Sequence, residues 1–96
     1  MDNEVNDNLA ALPTYFIERY SNITGLDLNN IKTTGFYLGY NVANASSAGA
    51  IAIYLVQAYS PDWVYQEEKV INNNGTVTRK YRTFYGGTTW GTWNSL

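Results

Sequence analysis

The chain contains no cysteine and no histidine in its 96 residues. The first absence removes disulfides, thiolate catalysis and Cys-based metal sites together. The second removes every catalytic triad built on an imidazole, and leaves a metal only oxygen ligands. Charge is also scarce. Asp, Glu, Lys and Arg make up 15% of the residues, well below the usual quarter. The net charge is −2, with six basic residues spread thinly. The small group Arg79, Lys80 and Arg82 is no phosphate-tracking stripe, so no nucleic-acid partner is expected. No apolar run is long enough to span a bilayer; the longest, Ala48 to Val56, stops at Gln57. Membrane insertion is not expected. Such a chain must be held by packing, or by association with copies of itself.

What the chain has instead is aromatic rings. They reach 16% of residues, and tyrosine supplies nine of them. With abundant Asn, Thr and Gly, this is the composition of a β-rich extracellular or virion-like protein. It is also the composition of surfaces that bind through rigid rings and adaptable hydrogen bonds. The last residues, GGTTWGTWNSL, place Trp90 and Trp93 where chain ends usually fray. They either seal a core or form a sticky surface.

The first residues differ from the rest. Val5, Leu9, Leu12 and Phe16 recur at helical steps, with Asp2, Asn3 and Glu4 before them and Gly25 after. Pro13 allows a kink or two short helices. Residues 1–24 are therefore expected to be helical, either as an amphipathic helix lying on its own domain or as a short stalk or linker, and 25–96 to form a β-rich domain. IKTTGFYLGY reads as a strand, followed by the small polar loop NVANASSAG. AIAIYLVQAY, Ala50 to Tyr59, is apolar on both faces and is expected to be central and buried. Ser60-Pro61-Asp62 turns into Trp63–Ile71. The run Asn72-Asn73-Asn74-Gly75 signals a tight hairpin, where Asn-Gly takes positive φ angles. TVTRKYRTFY is its partner strand, and TWGTWNSL closes after Gly86-Gly87. The expectation is a mainly β fold, a small antiparallel sheet or sandwich of about five strands, with a short N-terminal helical segment.

Little supports catalysis. Glu67 and Glu68 are adjacent on a strand and so point to opposite faces; they read as solvated strand residues. A close carboxylate pair for glycoside cleavage is not offered, and no Gly-rich phosphate loop is present. The chain is expected not to be an enzyme, and to need no cofactor or metal. Three glycosylation sequons, at Asn22, Asn44 and Asn74, are explained by chance in so Asn- and Thr-rich a chain. The aromatic surplus remains. Trp63 and Tyr65 share one strand face; on the next strand Val77, Arg79, Tyr81, Thr83 and Tyr85 share one face, and Lys80, Arg82 and Phe84 the other. Rings stacked on sugar C–H faces, with Asn, Asp, Gln and Arg reaching the hydroxyls, would bind a glycan. Any single ring is better read as core or subunit interface.

The order of landmarks resembles the C-terminal knob domain of bacteriophage tail fibres and tail-like bacteriocins, the pyocin-knob type. Asp27-Leu28-Asn29 and Thr34-Gly35-Phe36-Tyr37 match its opening. Asn44-Ala45-Ser46-Ser47 matches its small-residue loop, with Ser46 where proline often stands. An apolar strand, Gly49 to Val56, then Gln66, then Tyr81-Arg82 follow. The closing Gly-x-Trp-x-x-Trp is matched from Gly87 to Trp93 with one extra threonine. The likeness covers about Gly25 to Leu96.

This resemblance implies a virion-surface module, usually a homotrimer, at the end of a tail fibre or appendage. It implies contact with other virion tail proteins and action at the host surface on a glycan such as lipopolysaccharide or wall teichoic acid. It marks Gly35, Tyr37, Gln66, Arg82, Trp90 and Trp93 as a structural signature, so the two C-terminal rings read as structural. Receptor contacts are expected in the loops, at Asn41, Asn44, Asp62, Trp63, Tyr65 and Asn73. The alternative is a structural trimerisation or adaptor module that touches no sugar.

Overall fold

The computed structural model describes residues 20–47 and 49–96. They form one mixed sheet in which β1 (Tyr20–Asn22), β2 (Gly35–Gly39), β3 (Ile51–Ser60), β4 (Trp63–Ile71) and β5 (Val77–Tyr85) lie in chain order. Two short strands, β6 (Thr89–Trp90) and β7 (Asn94–Ser95), both pair with β5 and close the far edge. β2 to β5 are an antiparallel meander, with a long loop, residues 40–50, between β2 and β3 and short turns between β3, β4 and β5. The expectation of about five strands undercounted because two-residue strands carry no readable periodicity.

Two further details depart from the sequence reading. Tyr20–Asn22, assigned to the helical stretch, is a strand that pairs parallel with Phe36–Leu38. The rest of that stretch, residues 1–19, lies outside the described residues, as does the stalk assigned to it. And among the described residues there is no second sheet: the layer over the inner face is irregular chain. After β1, residues 23–34 cross the inner face, with a 3-10 turn at Leu28–Asn30 capped by the Asp27 carboxylate, which accepts from the Asn29 N–H at 2.8 Å. The loop before β3 lies beside it. Leu28 N–H donates to the Ala43 carbonyl at 3.0 Å and Ala43 N–H to the Leu26 carbonyl at 2.9 Å, which ties the two segments into one cap.

Strand alternation decides what the cap covers. Ala52, Tyr54 and Val56 of β3, Val64 and Val70 of β4, and Phe84 of β5 all point inward and are buried with Ile23, Leu28 and Val42. Each such large side chain contributes about 1.5–3 kcal/mol on full burial. The outer side of β3 is a different matter. Ile51 is exposed and Ile53 and Leu55 are half-buried, so the strand read as buried on both faces is fully covered on only one by the described residues.

The hairpin at Asn72–Thr76 also differs in kind from the tight Asn-Gly turn. Asn72 N–H donates to the Thr76 carbonyl at 2.8 Å and Gly75 N–H to the Asn72 carbonyl at 2.9 Å. Gly75 has a positive φ of 85° and Asn74 does not. This is a three-residue loop with its glycine in the left-handed position.

Candidate functional site

Four of the six signature residues, Gln66, Arg82, Trp90 and Trp93, meet around one buried guanidinium. Arg82 on β5 faces Gln66 on β4 in register, and both are buried, Arg82 at 4% exposure. The Arg82 Nε–H donates to Gln66 Oε1 at 2.9 Å. Gln66 Nε2 donates onward to the carbonyls of Leu28 (2.9 Å) and Ile31 (2.8 Å) in the cap. Trp90 and Trp93 close over the cation, with ring centroids 4.0 and 4.9 Å from the guanidinium carbon. In an unbroken strand, residues three apart face opposite ways. The interruption between β6 and β7, at residues 91–93, turns both rings inward. Trp93 Nε1–H then donates to the Asn44 carbonyl at 3.0 Å, and Trp90 packs on Phe84 at 5.0 Å. Tyr37 packs against both core clusters and donates its hydroxyl to the Thr33 carbonyl at 2.6 Å; a Cβ on Gly35 would just touch its ring.

Burial lowers the Arg82 pKa to about 10, with the negative charges of Asp27 and Glu68 opposing the shift. The group stays cationic at neutral pH. Glu68 is the correction here. Read as solvated, it is wholly buried; its carboxylate accepts from the Ser46 N–H at 3.2 Å and from the Ser46 hydroxyl. Its neighbour Glu67 does point to the opposite face, as alternation requires, but is half-buried and accepts the Tyr65 hydroxyl proton at 2.8 Å. The two carboxylates are thus held apart by the sheet. Burial and then Glu68 push the Tyr54 hydroxyl upward. Burial and the bond to Glu67 raise that of Tyr65 to about 12.

The residues expected to touch a ligand divide between opposite ends of the sheet. Asn41, Asn44 and Asn73 lie at the end where Ile51 meets Ile71; Asp62 and Trp63 lie at the other, with Tyr65 two positions in. A strand of this length separates the ends by about 30 Å. Asn41 (φ 55°) and Asn44 (φ 64°) both take the left-handed conformation, which asparagine tolerates. The Asn44 amide donates to Asp27 Oδ1 at 2.8 Å. That bond, then the Asn29 N–H, lowers the Asp27 pKa. These two asparagines already shape their loop. Asn73 is exposed at the hairpin tip.

The other end has a different character. Tyr59 is 93% exposed and Trp63 53%. With Gln57, Tyr65, Thr83 and Tyr85 they line a shallow groove of about 350 Å³ on the outer face, within the size range of small-ligand sites. Asp62 sits at its rim, where its backbone carbonyl accepts from the Gly87 N–H at 3.1 Å and its carboxylate crowds Gly87. Sequence reading found Trp63 and Tyr65 but missed Gln57, Tyr59 and Tyr85 as their companions. The missing signal was register: the turn at Ser60–Trp63 places Gln57 opposite Tyr65, and Tyr65 opposite Thr83.

The described residues thus form a mixed sheet with one face covered by irregular chain and a ring-clamped arginine between the two layers. Two solved structures match it. One is a selenomethionine structure of an N-truncated R2-type pyocin tail fiber, with a TM-score of 0.61 and 20% identity over 79% of this chain and 31% of that one. The other is a P. aeruginosa R1 pyocin fiber comprising C-terminal residues, with a TM-score of 0.59 and 23% identity over 80% of this chain and 21% of that one. The chain spans about a third or less of each fibre chain, and at these identities the likeness is one of fold. No family model and no curated protein matches the chain.

Proposed function

We propose that the chain is a knob domain of a phage or phage-like tail fibre or appendage, and that it binds a host cell-surface glycan without catalysis. In this reading it acts on the virion as a homotrimer beside other tail proteins. Its ligand belongs to the surface polysaccharides, lipopolysaccharides or teichoic acids. One observation carries the glycan part: Tyr59, Trp63 and Tyr85 expose their rings on a rigid sheet beside the polar side chains of Gln57 and Thr83, with Asp62 adjoining Trp63 in the turn. Ring faces stack on sugar C–H groups while amide, hydroxyl and carboxylate reach the hydroxyls. The tail-fibre part is supported by the fold alone.

The alternative, a trimerisation or adaptor module with no glycan, is favoured by the apolar character of the remaining outer face. A bacterial glycan array probed with the intact chain and with Trp63→Ala separates the two. The adhesin reading expects retention by at least one surface glycan. It also expects an affinity loss of about tenfold or more in the variant, from about 1.4 kcal/mol of lost stacking, with an unchanged melting temperature. If no glycan is retained, the adhesin reading falls and the structural module stands.

A further inference from the structure

We infer that the sugar held in the groove at Tyr59, Trp63 and Tyr85 is uncharged, and that Asp62 at its rim excludes acidic sugars. The inference narrows the adhesin reading proposed above and rests on it. Gln57, Thr83 and the rings of Tyr59, Trp63, Tyr65 and Tyr85 line the groove, and no charged residue is among its lining. A sugar hydroxyl both donates and accepts, and so do the Gln57 amide and the Thr83 hydroxyl. A carboxylate or phosphate placed among these rings would lose water and gain no cation, which is costly.

The charges that adjoin the groove among the described residues are negative. Asp62 directly precedes Trp63, and its carboxylate lies against Gly87, two residues beyond Tyr85. Two residues of chain span at most about 7 Å, within the Debye length of about 8 Å at physiological salt. Beyond Tyr65 stands Glu67, whose carboxylate accepts the Tyr65 hydroxyl proton at 2.8 Å. The neighbouring cations are held off. Lys32 stands over the Phe84 ring at 4.0 Å, and that ring points inward to the core. Lys69 is 4.0 Å from Glu67. Arg79 faces Lys69 across the strands and lies four positions along β5 from Thr83, about 13 Å. At Tyr65 the negative side wins: burial and then Glu67 raise the hydroxyl pKa, and Arg79 opposes them more weakly. A groove of rings and neutral polar groups between two carboxylates fits an uncharged saccharide and repels uronic acids and sugar phosphates.

The test takes each glycan that the array retains and compares it with a matched partner of opposite kind. Neutral glycans are oxidised at their primary hydroxyls to carboxylates; acidic ones are reduced to alcohols or stripped of phosphate. The full chain should hold the neutral form about tenfold more tightly, the cost of an unpaired anion against the rings and Asp62. Asp62→Asn keeps an accepting oxygen and removes the charge. In the folded variant the preference should shrink about threefold, the repulsion of two unit charges about 7 Å apart in water. Salt at about 1 M, where the Debye length is about 3 Å, should shrink it similarly in the intact chain. Equal or tighter binding of the acidic form overturns the inference and leaves the adhesin reading standing, because a glycan is still bound. A preference untouched by Asp62→Asn and by salt overturns the role of Asp62. If no glycan is retained, the adhesin reading falls and this inference falls with it.

Discussion

Trp93→Ala is the sharpest probe of whether the closing rings are structural. Trp93 is half-buried against the cluster of Ile23, Leu28, Val42 and Tyr54. Truncating a fully buried tryptophan costs about 3–5 kcal/mol; half-burial scales this to about 2 kcal/mol. Losing the Nε1–H bond to the Asn44 carbonyl adds about 1 kcal/mol. Uncovering one side of the Arg82 guanidinium adds about another 0.5–1 kcal/mol. The total, about 3–4 kcal/mol, is a large share of the roughly 5–15 kcal/mol that holds a domain together. It corresponds to a melting temperature lower by about 15–25 °C. The assay is urea unfolding followed by far-UV circular dichroism, at one protein concentration because association would otherwise shift the midpoint. The midpoint should fall with the slope unchanged. A loss below about 1 kcal/mol together with abolished glycan binding would refute the structural reading, and would make Trp93 part of the receptor surface.

Three further outcomes follow from the geometry. A Cβ on Gly39 would lie 2.8 Å from the Thr24 backbone nitrogen. Gly39→Ala should therefore push β1 off β2 and cost about 1–3 kcal/mol by the same urea assay. The Asp27 pKa is lowered from 3.8, first by Asn44 and then by the Asn29 N–H. A carboxyl with a depressed folded pKa gives stability that is complete above its unfolded value and is lost as pH falls through the folded one. Amide exchange in the cap should thus rise as pH drops below 3.8, after correction for intrinsic rates, and Asp27→Asn should remove that dependence. Glu68→Gln replaces one of two accepting oxygens with a donor facing Ser46, and should cost about 1–3 kcal/mol in thermal melts at neutral pH. A neutral result would mean that the Ser46 bonds do not hold the loop.

The meander was legible because its signals are local. Burial alternates along the whole of Trp63–Ile71 and over the last residues of Val77–Tyr85, between turn residues, and the faces assigned to Arg82 and Phe84 against Tyr81 and Tyr85 are those observed. Glu68 was illegible for the opposite reason. Its burial depends on a loop 22 residues away folding back to offer Ser46, which no pattern around position 68 records. The parallel edge at Tyr20–Asn22 is of the same kind, since three residues are too few to display a period. The outer-face groove was half legible. Ring type singled out Trp63 and Tyr65, while the grouping with Tyr59 and Tyr85 required strand register.

The cap explains why a chain so poor in charge buries several polar side chains. Residues 23–34 and the loop before β3 have almost no regular structure, so their backbone groups lack ladder partners, and buried orphans are costly. The sheet supplies those partners through side chains. Gln66 satisfies the carbonyls of Leu28 and Ile31, Glu68 the N–H of Ser46, and Trp93 the carbonyl of Asn44. Each anchor lies on the inner face, and Arg82 links Gln66 to the two tryptophans. A chain without disulfides thereby fixes an irregular layer onto a sheet. The consequence for recognition is positional. The loop that carries Asn41 and Asn44 is pinned by the same residues that hold the core, so its sequence cannot drift without loosening the fold. The turn end around Tyr59, Trp63 and Tyr85 carries no such anchor. Its rings can be exchanged for others with the cap intact, and under the proposed adhesin reading that freedom lets the groove vary while the fold is kept.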